Sequence, residues 1–138
     1  MNEEGEISLK DVNEITRQII GCAFDVSNSL GCGFVEKVYE NALVHLIRKT
    51  GLKVAQQYPI KVTFDGILVG EFEADLLVEE QVLVELKAVS MLVNEHTAQA
   101  LNYLRASGLQ VCLLINFGKP KVEIKRLLPH ANWKTPEP

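Results

Sequence analysis

The sequence predicts an α/β fold, a mixed β-sheet flanked by helices, laid out in the order helix, strands, helix, strand. Apolar residues recur at helical spacing through roughly the first third of the chain. Two consecutive strand-like runs follow, residues 71–78 and 81–89, and a helix-length segment separates them from the continuously apolar run 111–117. That separation is a helical crossover, so the late strand is expected to lie parallel to an earlier one. With 138 residues the chain has room for one domain with a real core, expected over residues 1–128, and a Pro-rich tail over 129–138.

Taking the elements in order, Asp11 or Asn13 can cap a helix that carries Val12, Ile15, Ile19, Ala23 and Val26 and runs to Leu30. Gly31-Cys32-Gly33 breaks it. A second helix, from Phe34 to about Lys49, is expected to pack through Val35, Val38, Leu43 and Leu46, with Gly51 placed as a C-terminal cap. Residues 53–64 are strand-like, and Asp65-Gly66 before Ile67 is a two-residue hairpin signal. A helix over about 94–107, closed by Gly108, leads to the buried strand at 111–117. Gly118-Lys119-Pro120 then turns the chain into a short charged strand, 121–127. Trp133 in the tail is either a docking anchor or a partner contact.

The chemistry concentrates at Asp75, Glu85 and Lys87, charges set inside Leu- and Val-rich strands. Such a charge has to be paired, bind a metal or shift its pKa, because isolating it from water costs several kcal/mol. Glu85 and Lys87 are two apart and share a strand face, with Asp75 on the adjoining run. One reading is a divalent-metal phosphodiesterase site, in which the carboxylates hold the ion and the lysine supports the phosphate charge. The other is a charge ladder stabilising by roughly 0.2–1 kcal/mol per pair. Structural ion pairs are the commoner outcome of such spacing. Val82, Val84 and Leu86 alternating with Leu83 nevertheless mark a central strand rather than a solvated edge. Turn length decides whether the acids can meet. A strict two-residue loop at Glu79-Glu80 would set Asp75 opposite Val84, on the wrong face, so convergence requires an odd loop or a β-bulge.

Composition excludes several classes. No apolar stretch approaches the roughly 20 residues of a membrane span, and the acidic start is unlike a signal peptide, so a cytoplasmic protein with no membrane partner is expected. Cys22, Cys32 and Cys112 form no pair with metal or disulfide spacing and read as reduced core thiols. The net charge of −4 argues against coating nucleic acid by bulk electrostatics. Lys119, Lys121, Lys125, Arg126 and Lys134 could still form a local phosphate-contacting surface, or an ordinary solvated strand edge.

Gly33, Glu36 and Tyr39 stand in the spacing after which the GxxExxY proteins are named. Asp75, Glu85-Leu86-Lys87, the His96, Gln99, Asn102-Tyr103-Leu104 helix and Ile115-Asn116-Phe117-Gly118 resemble that family's later blocks, so the resemblance spans about residues 12–128. The family is placed in the PD-(D/E)XK nuclease-like superfamily, which implies a restriction-endonuclease-like core. It also implies that Asp75 and Glu85 are metal-binding acids, that Lys87 is the catalytic lysine, and that Glu36 is an acid brought from the first core helix. Tyr39, His96, Gln99 and Tyr103 become candidate substrate-binding residues; the last three fall on one helix face, which also fits a polar stripe capping the sheet. Tyr39 also fits a core aromatic.

Two functions follow. The first is an Mg²⁺- or Mn²⁺-dependent nuclease hydrolysing phosphodiester bonds, with DNA favoured over RNA by analogy. The second is a catalytically inactive nucleic-acid-binding or assembly module that keeps the fold. A domain this small offers little surface for sequence readout, which takes about 600–1,000 Å² for one module, and so calls for a homodimer or a protein partner.

Overall fold

The computed structural model describes residues 11–133. Helix α1, Val12–Leu30, starts where the Asp11 side chain accepts from the Asn13 N–H at 3.0 Å. Its inward stripe is Ile15, Ile19, Cys22, Ala23 and Val26. Helix α2, Glu36–Lys49, follows and ends at Thr50 and Gly51. The strands are β1, Val54–Phe64; β2, Ile67–Val78; and β3, Val82–Lys87. Helix α3, Asn94–Ser107, is closed by left-handed Gly108 and followed by β4, Val111–Asn116, and β5, Glu123–Leu127.

The sheet has five strands in chain order, β1-β2-β3-β4-β5, with β3 and β4 parallel and the other neighbours antiparallel. The crossover through α3 is therefore the one parallel connection among the described residues, as the helix-length spacer predicts. Helices α1 and α2 cover one face, where Val82, Val84, Leu86, Leu113 and Ile115 enter the larger core. On the other face α3 covers Leu77, Leu83 and Cys112 through Ala100 and Leu104. Burial on both sides explains the unbroken apolar character of β3 and β4.

Only the last residues of β2, Leu76–Val78, pair with β3. The rest of β2 and its partner β1 form a two-stranded arm whose tip exposes Phe64, Ile67, Leu68 and Val69. At the other side of the sheet, Arg126 on β5 donates to Asn13 Oδ1 at 2.7 Å and to Thr16 Oγ1 at 3.3 Å, tying the last strand to the first helix.

Two expectations need correction. Helix α2 does not pack through Val35 and Val38, which are exposed; its buried stripe is Tyr39, Glu40, Leu43, Val44 and Ile47. The cause is Tyr39, whose ring stacks on Phe117 at 4.8 Å and whose hydroxyl donates to Gly31 O at 2.6 Å, which turns the helix so that Tyr39 and Glu40 point inward. Cys32 is exposed and is no core thiol, unlike Cys22 and Cys112. The C-terminal basic cluster is largely engaged locally: Arg126 on α1, Lys119 on Glu123 and Lys125 on Thr97, while Lys134 lies outside the described residues. Trp133 is a docking anchor, packed against the α3-side core with the Arg105 guanidinium 5.5 Å from its ring centroid. Residues 134–138 of the expected tail lie outside the described residues.

Candidate active site

The turn between β2 and β3 decides the geometry. Val78 pairs with Val82, so three residues, Glu79, Glu80 and Gln81, form the loop, and the register continues through Leu77 with Leu83 and Leu76 with Val84. One step further sets Asp75 beside Glu85. The odd loop that convergence requires is present. It is built unusually, with Glu79 and Glu80 both left-handed at φ 53° and 56°, a conformation costly for residues other than Gly or Asn. Glu79 is held there by its N–H donating to Lys53 O at 2.9 Å and by its carboxylate accepting from Lys53 N–H at 2.7 Å.

The β1–β2 ladder also skips the pair that would join Gln57 to Asp75, and Gln57 has φ 53°. Strict alternation would send residues three apart to opposite faces, yet Ala74 and Leu77 both lie in the α3-side core. Asp75 sits at this irregularity, with the ladder register the same on either side of it.

Asp75 and Glu85 are cross-linked through each other's strands. The Leu86 N–H donates to Asp75 Oδ2 at 2.7 Å, and the Asp75 N–H donates to Glu85 Oε2 at 3.1 Å. Each carboxylate thus commits one oxygen to the backbone and keeps the other. Glu85 is buried and Asp75 half-buried. Desolvation, followed by the neighbouring Asp75 charge, pushes the Glu85 carboxyl up to about 8. Desolvation raises Asp75 as well, with Glu40 and then Glu36 adding to it.

Lys87 does not neutralise the acids by direct contact. Its Nζ donates to Gln99 Oε1 on α3 at 3.2 Å, and among the described residues no ion pair joins it to Asp75 or Glu85. A charge ladder would show that pair; among the described residues it is absent, and both carboxyls are raised. An oxygen-only pair with free lone pairs suits a hard divalent ion, which takes one or two carboxylates plus water and phosphate oxygens. No group of three His, Cys, Asp or Glu residues able to hold a metal occurs among the described residues, so the donor set is not a closed protein cage.

The other candidates divide. Glu36, in the first turn of α2, is exposed but close enough to raise both acids. Gln99 holds Lys87. Tyr103 is half-buried and faces the pair, its hydroxyl raised by desolvation first and then by the charges of Glu85 and Asp75. His96 accepts the Val93 N–H on Nδ1 at 3.1 Å and so caps α3; among the described residues no hydrogen bond or ion pair joins it to the acids. Tyr39 is fully buried with its hydroxyl engaged, which corrects the expected substrate contact to a framework role: it holds the loop before α2 by bonding Gly31 O and the Phe34 N–H.

Two residues escaped sequence reasoning as parts of the site. Glu40 is buried beside Asp75 and accepts from Gln56 at 2.7 Å, Gln57 at 3.1 Å and Lys37 at 3.0 Å. Its signal was a charge falling in the buried stripe with Leu43 and Ile47. Asn116, fully buried opposite Lys87 in the parallel ladder, clamps the chain beyond Lys87. Its Oδ1 accepts from Val89 N–H at 3.0 Å and Gly118 N–H at 2.9 Å, and its Nδ2 donates to Val89 O at 2.9 Å. Gly118 permits that approach, since a Cβ there would lie 2.1 Å from Val89 O and 2.4 Å from Val89 N. Gly118→Ala is accordingly expected to destabilise by about 3 kcal/mol, read in urea unfolding, because backbone rather than a flexible side chain would have to move.

The sequence model of the PD-(D/E)XK nuclease superfamily matches residues 13–127. The chain belongs to the PD-(D/E)XK nuclease superfamily. Its mixed five-stranded sheet with flanking helices is the fold of that superfamily, and PD-(D/E)XK nucleases generally use divalent metals. Among solved structures, the crystal structure of an alkaline exonuclease (LHK-Exo) from Laribacter hongkongensis is similar at 15% identity and a TM-score of 0.48, covering 86% of this chain and 83% of that one. No curated protein matches the chain at a significant level. Among the described residues of this PD-(D/E)XK chain, no helix is long and apolar enough to cross a membrane.

Proposed function

We propose that this PD-(D/E)XK chain is a divalent-metal-dependent nuclease that hydrolyses phosphodiester bonds, with Asp75 and Glu85 as the metal-holding acids and Lys87 as the catalytic lysine. The observation that carries the reading is the adjacent carboxylate pair, Glu85 buried and Asp75 half-buried, in which each acid accepts a backbone N–H from the other's strand and both carboxyls are raised. An Mg²⁺ or Mn²⁺ ion there supplies Lewis-acid neutralisation of phosphate charge and a lowered pKa for attacking water. Asp75 and Glu85 are pre-aligned by the two backbone N–H groups that each strand gives the other's carboxylate. Lys87, positioned by Gln99 and by the Asn116 clamp, offers its ammonium to the charge that develops on the phosphate oxygens. Glu36 adds an exposed carboxylate at the rim, and Glu40 acts as a positioning residue behind Asp75. Membership of the GxxExxY proteins rests on the Gly33, Glu36, Tyr39 spacing, and the preference for DNA on that resemblance.

Purified protein incubated with Mg²⁺ or Mn²⁺ and single-stranded, double-stranded and branched DNA and RNA is expected to cleave at least one of them, and either ion should raise the melting temperature. Absence of both effects would transfer the chain to the non-catalytic module reading.

A further inference from the structure

Phe72 and Tyr103 form an aromatic pair beside the carboxylates, with ring centroids 5.1 Å apart and planes tilted by 33°. Phe72 lies three residues before Asp75 and faces α3, since its register partner Ile60 belongs to the α3-side core. It is nevertheless 44% exposed, an apolar ring left open to water at the site's margin. The neighbouring charge is of the wrong sign to hold a polyanion: Asp75 and Glu85 are the charges that act on Tyr103, Glu71 and Glu73 adjoin Phe72 along the strand, and the whole chain carries a net charge of −4. Binding nucleic acid through phosphate contacts alone needs a basic groove. A ring face supplies a non-ionic contact that every nucleobase can use, but only where the base is unpaired.

We propose that Phe72, backed by Tyr103, is a stacking ledge for an unpaired nucleobase next to the reacting phosphate, which makes single-stranded DNA or an unpaired DNA end the substrate class of the site. This rests on the nuclease reading for the word substrate, though the ledge itself binds without cleavage. Tyr103 packs against Phe72, which stands three residues before Asp75 on β2, so a base on the ledge keeps its own phosphate along the strand that carries that acid.

The test uses the full chain in EDTA, so that no cleavage occurs, and an oligo(dT) carrying one 2-aminopurine, whose fluorescence falls when it stacks. Wild type is expected to quench the probe and to bind the single strand at least about tenfold more tightly than the same sequence as a duplex. Phe72→Leu keeps apolar bulk against Tyr103 but loses the flat ring; it should melt like wild type and bind about tenfold more weakly without quenching. Phe72→Trp should restore both signals, which a purely structural role would not require. Equal affinity for duplex and single strand, no binding of either, or a Phe72→Leu variant that quenches like wild type would overturn the ledge. Failure of metal-dependent cleavage with quenching intact would instead count against the nuclease reading and leave the ledge standing.

Discussion

Asp75→Asn and Glu85→Gln are each expected to reduce metal-dependent cleavage by about a thousandfold or more while leaving the metal-free protein as stable as wild type or more so. The activity loss follows from removing one of two carboxylates that hold the ion, worth several kcal/mol of transition-state stabilisation at about 1.4 kcal/mol per decade of rate. Stability does not fall, because the amide oxygen can still accept the Leu86 or Asp75 N–H, while the desolvation cost of a buried ionisable carboxyl is removed. A structural ion pair predicts the reverse, since removing one partner of a buried pair destabilises by about 3–5 kcal/mol. Melting curves in EDTA beside cleavage rates in Mn²⁺ separate the two. Variants that melt several degrees lower and keep their cleavage would discard the metal-site assignment.

The second large effect is on pH. Glu85 has its folded-state value raised from 4.5 to about 8, so between those values the native protein holds a proton that the unfolded chain has released. The stability it contributes is therefore fully present below about pH 4.5 and is lost as pH rises through about 8; the raised Asp75 carboxyl acts in the same direction. Metal-free melting temperatures should fall from pH 5.5 to 8.5. A cation has to displace that proton, so its affinity should climb about tenfold per pH unit up to about pH 8 and then level off. Mn²⁺ titrations followed by thermal shift at several pH values measure this directly. A metal response independent of pH would mean that Glu85 is not a ligand.

Much of this architecture was legible from pattern. Apolar runs separated by a helix-length spacer specified the parallel crossover, and two-sided hydrophobicity specified that β3 is central. The convergence of Asp75 and Glu85 was legible only as a condition, because loop length depends on Glu79 and Glu80 adopting left-handed backbone with no Gly or Asn to announce it. The face of α2 was misjudged for a related reason. Helical periodicity allowed either Val35 and Val38 or Tyr39 and Glu40 inward, and a tertiary hydrogen bond from Tyr39 to Gly31 chose between them. Glu40 and Asn116 were hidden by the same limit: a polar residue in an apolar stripe marks an exception without naming the amides that satisfy it.

The Asn116–Gly118 clamp has a consequence for the order of synthesis. Lys87 leaves the ribosome a few seconds before the residues that secure the backbone beyond it, at roughly 5–20 residues per second. Through that interval Asp75, Glu85 and Lys87 lie on a chain whose strand β4 has yet to exist, and α1 still waits for Arg126. A half-made copy therefore carries Asp75, Glu85 and Lys87 without the frame that aims them, and the proposed site becomes complete only when nearly all of the fold has been translated.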